Sequence, residues 1–169
     1  MKNNPANPII IPLVRNEEWA IDFMSDTLVN GRRFRTFNVI DHYNRQCYGI
    51  LNSFSIPARK ATAFLDRLIE KYGKPKRIRG DNGPELMAKW FKTWLRSRTI
   101  QWSAIPKGSP QQNAIVERFN RTYREDILDA NLFFSIDQAQ QITDQWLEEY
   151  NTDREHEALG YQTPAAYAA

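Results

Sequence analysis

Three acidic residues stand where an acid has work to do. Asp22 lies inside the apolar stretch Trp-Ala-Ile-Asp-Phe (19–23), and a carboxylate there is costly to bury unless it is paired or bound to a cation. Asp81 ends Lys-Arg-Ile-Arg-Gly-Asp (76–81), a short segment rich in positive charge that runs into Asn-Gly-Pro. Glu117 falls one turn into the helical stretch that follows the polar segment Pro-Lys-Gly-Ser-Pro-Gln-Gln-Asn (106–113). Brought within a few ångströms, three carboxylates repel one another unless a cation intervenes. Oxygen donors without sulfur or imidazole select Mg²⁺ or Mn²⁺. Two such ions about 3.5–4 Å apart would activate a water or hydroxyl and stabilise the leaving oxygen of a phosphodiester.

Each acid also has a plainer reading. Asp81 before Asn-Gly-Pro fits a turn or a helix cap. Asp22 fits a buried acid bonded to backbone, and Glu117 fits a solvated helix residue. Arg121 and Arg124 fit surface partners for Glu117 and Glu125. Their joint placement, not any one of them, points to a metal site.

The elements that must position them are legible as periodicities. Residues 17–26 form a strand candidate, and Asn30-Gly31 is a hairpin signal. Residues 33–41 alternate as a second strand and 46–54 follow as a third, giving an antiparallel meander. The period then becomes helical: Ala61, Phe64, Leu65, Leu68 and Tyr72 recur between Pro57 and Gly73. A short strand (76–81), an amphipathic helix (84–98), a fifth strand (100–105), a helix over about 114–129 and a last helix through Tyr150 complete the chain. Ser135 and Gln138 form a capping-box pair at the start of that last helix. The order β-β-β-α-β-α-β-α-α implies an α/β fold with a five-stranded mixed sheet flanked by helices, the meander joined to two parallel strands. In such a sheet the first and fourth strands can lie side by side and parallel, which brings Asp22 to Asp81. A helix crossing there presents Glu117 to both. On that helix Ile115, Val116, Phe119, Tyr123 and Ile127 make the apolar arc. Glu117, Arg121 and Arg124 share another arc, suited to gripping a phosphate chain.

Composition narrows the classes. With 169 residues, 41% of them hydrophobic, the chain suits one globular domain, expected as an extended tail over 1–16 and a core over 17–169. A net charge of +3 leans mildly towards anionic partners. One cysteine and two histidines leave no Cys/His zinc set, and the lone Cys47 suits a reducing cytoplasm. No apolar run approaches the roughly 20 residues of a membrane span.

The motifs together resemble the catalytic core of DDE transposases and retroviral integrases, in particular that of bacterial insertion-sequence transposases. The resemblance rests on WAIDF, on RGDNGPEL, on SPQQNAIVERFNRTYREDIL with 35 residues between Asp81 and Glu117, and on YNTDREHEALGYQTPAAY (150–167). It spans about residues 9 to 167. It implies a ribonuclease-H-like fold and a metal-dependent polynucleotidyl transferase that nicks DNA and uses the freed 3′-hydroxyl to attack another phosphodiester. Asp22, Asp81 and Glu117 would be catalytic and would hold Mg²⁺ or Mn²⁺, two ions with DNA bound. Lys107, Asn113, Arg121 and Arg124 are the expected DNA contacts. The implied partners are DNA at element ends and target, and further copies of the chain, in a bacterial, nucleoid-associated cytoplasmic setting. Two features depart from the pattern: Lys-Gly-Ser in the 106–113 segment, and Asp153 and Glu155 in the C-terminal signature. No helix-turn-helix precedes residue 17, so the expectation is a catalytic core, an excised domain or a truncated reading frame. The alternatives are a catalytically idle DNA-binding or oligomerisation remnant and a nuclease acting on RNA–DNA hybrids.

Overall fold

The computed structural model describes residues 12–81, 83, 88–105 and 114–168. Strands β1 (Glu18–Thr27), β2 (Arg33–Asp41) and β3 (Cys47–Ser53) form the antiparallel meander, and β4 (Arg77–Gly80) and β5 (Gln101–Ala104) add to it in parallel. The sheet order is β3-β2-β1-β4-β5, the mixed five-stranded arrangement that the element order implied. The Asn30-Gly31 signal marks the β1–β2 connection. There Gly31 takes φ 87, and the turn closes through Leu28 N–H to Arg32 O at 2.9 Å.

Helices cover both faces: α1 (Ala58–Tyr72), α2 (Lys89–Ser97), α3 (Ala114–Tyr123), α4 (Ile136–Thr152) and α5 (Pro164–Ala168). The strand period of two sorts β1 between two cores. Trp19 and Ile21 pack with Phe64, Leu65, Phe91 and Trp94 of α1 and α2. Ala20, on the other face, packs with Val116, Phe119 and Tyr123 of α3 and with Leu147 and Tyr150 of α4. Gly80 is required at the end of β4, because a Cβ there would stand 2.8 Å from Trp102 Cη2 and 3.0 Å from Ile21 Cγ1.

The sequence expectation needs correction at two places. The helix over 114–129 is not uniform: after Tyr123 it widens into a π-helical turn, Arg124–Leu128, closed by Asp129 N–H to Arg124 O at 2.8 Å. That turn lets Ile127 and Leu128 both reach the core beside Tyr123. Beyond α4, a 3-10 turn (Glu157–Leu159), a bridge between His156 and Gln162, and α5 follow where the sequence showed no element. Pieces of one turn are too short for a periodicity to register. Ser135 does cap α4, accepting from Gln138 N–H at 3.1 Å, while the Gln138 side chain returns to Phe134 N–H at 2.8 Å, one residue earlier than the usual capping box.

Candidate active site

β1 and β4 run parallel in the register Glu18↔Arg77, Trp19↔Ile78, Ala20↔Arg79. Continued two residues past its last pair, that register points Asp81 towards Asp22, whose carboxyl feels the Asp81 charge. Alternation then puts both on the face that carries Ala20, where α3 packs. α3 buries Val116, Phe119 and Tyr123 against that face and leaves Glu117 exposed in its first turn. The three carboxylates predicted from the sequence therefore share one region of one face.

Their electrostatics agree. Burial pushes the Asp22 carboxyl up, and the neighbouring charges of Asp81 and Glu117 add to it, so its pKa rises to about 6 despite hydrogen bonds from Phe23 N–H and Asn120. Both charged groups that act on Asp22 are themselves acids. Asp81 is exposed and accepts from Gly83 N–H at 3.0 Å, a local turn contact that leaves carboxylate lone pairs for another partner. Among the described residues no three Asp, Glu, His or Cys side chains are gathered tightly enough to enclose an ion by themselves. The donor set nonetheless fits a hard divalent cation: carboxylate oxygens only, mutually repelling, with amide donors as Asp22's hydrogen-bond partners.

Asn120, which sequence reasoning missed, is the side chain that holds Asp22. Its Nδ2 donates to Asp22 Oδ2 at 2.7 Å, and its Oδ1 accepts from Asn38 Nδ2 at 2.8 Å. Thr36 Oγ1 donates in turn to Asn38 Oδ1 at 2.9 Å. A chain of three hydrogen bonds thus runs from β2 through α3 to the acid. Asn38 pairs directly with Asp22 in the β1–β2 register, so the sheet fixes both ends of the chain. The available signal was position: Asn120 follows Glu117 by three residues, one helical turn.

Of the expected DNA contacts, Arg121 is exposed on α3. Arg124 is half-buried, donating from Nη2 to Ser25 O at 2.9 Å, with Nη1 3.5 Å from Asp129. The π-helical turn therefore ties Arg124 to β1 three residues beyond Asp22. Lys107 and Asn113 lie outside the described residues.

Comparison with known proteins places this arrangement. The chain is 33% identical over 161 residues to the insertion element IS407 uncharacterized 31.7 kDa protein of Burkholderia multivorans, a match covering 95% of this chain and 58% of that protein. It is 34% identical over 154 residues to the insertion element IS476 uncharacterized 39.2 kDa protein of Xanthomonas euvesicatoria, covering 91% of this chain and 44% of that one. The chain thus spans about half the length of these curated relatives. Its fold matches the HTLV-2 integrase catalytic core domain, solved in complex with magnesium, with a TM-score of 0.69 at 21% identity over 93% of this chain and 99% of the other. The sheet order and flanking helices are accordingly the ribonuclease-H-like arrangement. Two family profiles, both described as integrase core domain, match residues 14–110 and 98–164. With more than half of its length inside the first of these, the chain belongs to the integrase core domain family.

Proposed function

We propose that the chain is the catalytic core of a DDE transposase that cleaves DNA and transfers the freed strand, with Asp22, Asp81 and Glu117 holding divalent metal. One observation supports this reading: the charges pressing on the half-buried Asp22 are those of two other acids, Asp81 and Glu117, on the same side of the sheet. Such a cluster is costly as it stands and becomes favourable when a cation joins it. Mg²⁺ or Mn²⁺ bound there would activate the attacking water or 3′-hydroxyl and stabilise the leaving oxygen.

The protein's own groups have separable parts in this reading. Asp22 on β1 and Asp81, just past the end of β4, supply donors from the sheet side. Glu117 supplies one from the helix laid over it, and Asn120 fixes the orientation of the Asp22 carboxylate through Oδ2. Exposed Arg121, the tethered Arg124, and Lys107 and Asn113 are assigned to the DNA backbone. Self-association across two DNA ends and a bacterial cytoplasmic setting belong to the same proposal. Among the described residues no helix is long and apolar enough to cross a membrane.

The test is strand joining of short DNA duplexes with Mn²⁺ or Mg²⁺. Asp22→Asn, Asp81→Asn and Glu117→Gln should each abolish joining while the protein stays folded and still binds DNA. If wild type and Glu117→Gln were equally inert with every metal while both bound DNA, the chain would be an idle binding or oligomerisation module instead. Cleavage of RNA in hybrids in preference to joining of DNA would make it a nuclease.

A further inference from the structure

A cavity of about 350 Å³ opens along a second flank of α3, the one carrying Ala114, Ile115 and Arg118, away from Glu117 and Asn120. Three arginines line it from separate parts of the chain: Arg45 from the β2–β3 turn, Arg118 from α3, and Arg154 from the segment after α4. Against these three guanidinium groups the lining sets two carboxylates, Glu155 and Glu157, so the hollow keeps an excess of positive charge that suits an anion.

Further observations converge on the same hollow. Arg45 adopts φ 64, a left-handed backbone in which glycine or asparagine is the ordinary occupant. Such strain in a charged residue is concentrated at functional positions. Among the described residues the Arg118 side chain forms no hydrogen bond or ion pair, although Glu155 and Glu157 also line the cavity. Arg154 is bonded to Asp126 at 2.8 Å, and Arg45 donates one Nη1 bond to His42 O at 3.2 Å, which leaves each guanidinium with donors to spare. His156 sits on the wall with its ring edge-on to Tyr150 at 5.1 Å, and its Nε2 is buried without a partner. Burial, and then the charges of Arg154, Arg118 and Arg45, hold the His156 imidazole below its ordinary range, so the three cationic fields meet at that wall. Ala114 and Ile115, in the first described turn of α3, line the cavity as well.

We propose that this cavity binds a phosphodiester group of a DNA strand passing the start of α3. The inference rests on the reading of the chain as a DNA-acting core, and it adds a place where the strand is gripped beside the candidate catalytic acids. The C-terminal signature around Arg154 and His156 thereby acquires a role: it closes a phosphate grip against the helix that bears Glu117.

The experiment is binding of a short fluorescent DNA duplex to the whole chain, followed by anisotropy across a salt series. Arg45→Gln, Arg118→Gln and Arg154→Gln should each weaken binding several-fold and reduce the salt slope by about 0.9 per lost contact. Arg118 is exposed, so Arg118→Gln keeps the test open even if the other two fail to fold, which melting curves would reveal. Removing an opposing charge with Glu155→Gln should tighten binding, and Arg45→Lys should retain the slope. Wild-type slopes in the three glutamine variants would overturn the phosphate grip and leave the DNA-acting reading standing. A wild type that binds no duplex at any salt would defeat that reading first and this one with it. Two further outcomes would also overturn the proposal, both with slopes unchanged: inorganic phosphate raising the melting temperature of wild type but not of Arg118→Gln would mark a free-anion site, and altered sedimentation of the variants would mark a contact between copies.

Discussion

Glu18 and Asp22 stand on the same face of β1, four residues apart, and both lie next to β4, but the protein surrounds them with opposite charges. Glu18 is 1% exposed and accepts from Arg77 Nε and Arg79 Nε, both at 3.0 Å, and from His42 Nδ1 at 2.6 Å. Burial pushes its carboxyl up, and the bonds from His42, Arg77 and Arg79 outweigh that, so its pKa falls to about 2. Asp22 also carries a burial penalty, but its charged neighbours are acids, and its pKa rises to about 6. One acid is compensated inside the chain and the other is not, which is why Asp22 is proposed as a cation ligand. The difference separates a structural ion cluster from a candidate site, and it is made by a shift of four residues along one strand.

The largest way to break this contrast is at the compensated end. Glu18→Gln leaves buried Arg79 and half-buried Arg77 against a neutral group, which should cost about 3–5 kcal/mol, the scale of a broken buried ion pair. For a chain of this size that is a fall of roughly 10 °C in melting temperature. The loss should shrink in acid. An acid with a depressed folded pKa contributes stability above its unfolded value of 4.5 and loses it as pH falls towards 2, so wild type and Glu18→Gln should converge over that window. A pH-independent difference in calorimetry would remove the ionic explanation.

Gly80→Ala attacks the seam between the two ends. The new Cβ meets Trp102 Cη2 at 2.8 Å and Ile21 Cγ1 at 3.0 Å, so β4 must shift or Trp102 must yield, at about 1–3 kcal/mol. Because Asp81 follows Gly80, strand joining should fall further than the stability loss explains. Joining that stays at the wild-type rate would show that the Asp22–Asp81 spacing tolerates movement.

Asp22→Asn should do the reverse of Glu18→Gln and stabilise the metal-free protein, by about 1–2 kcal/mol at pH 7. Here the folded pKa lies above the unfolded value of 3.8, so ionisation weakens the fold. The penalty is absent below that value and complete above about 6. The gain from the substitution should therefore vanish on acidification from pH 6 to 4. Mn²⁺ should raise the melting temperature of wild type but not of this variant. A destabilised Asp22→Asn at pH 7 would mean that the carboxylate is structural.

The smallest expected effect sharpens the comparison. Asn120→Ala removes the donor to Asp22 Oδ2 and should weaken the Mn²⁺-induced melting shift by about 10-fold in apparent affinity, the lower range for a residue that orients a metal-binding group. An unchanged Mn²⁺ titration would show that Asp22 orients itself.

Much of this was readable in the chain. The alternation in β1, with Trp19 and Ile21 against Ala20 and Asp22, fixes which residues share a face before any partner strand is known. Pro57 and Gly73 bracket α1 as expected, because a ring-locked φ and a φ of 96 are local properties of those residues. The expected β-meander and parallel pair followed from element order alone. The π-helical turn at Arg124–Leu128 did not, because it is set by Tyr123, Ile127 and Leu128 all seeking the same core.

What the sequence determined by itself is the periodicity, the breakers and the acids carried at the ends of particular elements, since each of these acts within a few residues. What only the tertiary structure decided is which acid is neutralised. Glu18 meets Arg79 across 61 residues and Asp22 meets Asn120 across 98, and those meetings depend on the strand register and on how α3 lies over the sheet. Electrostatic energy depends on distance and burial in space, which a linear chain does not state. Two carboxylates written alike, four residues apart, therefore become a structural anchor and a candidate metal site only once β4 and α3 have docked.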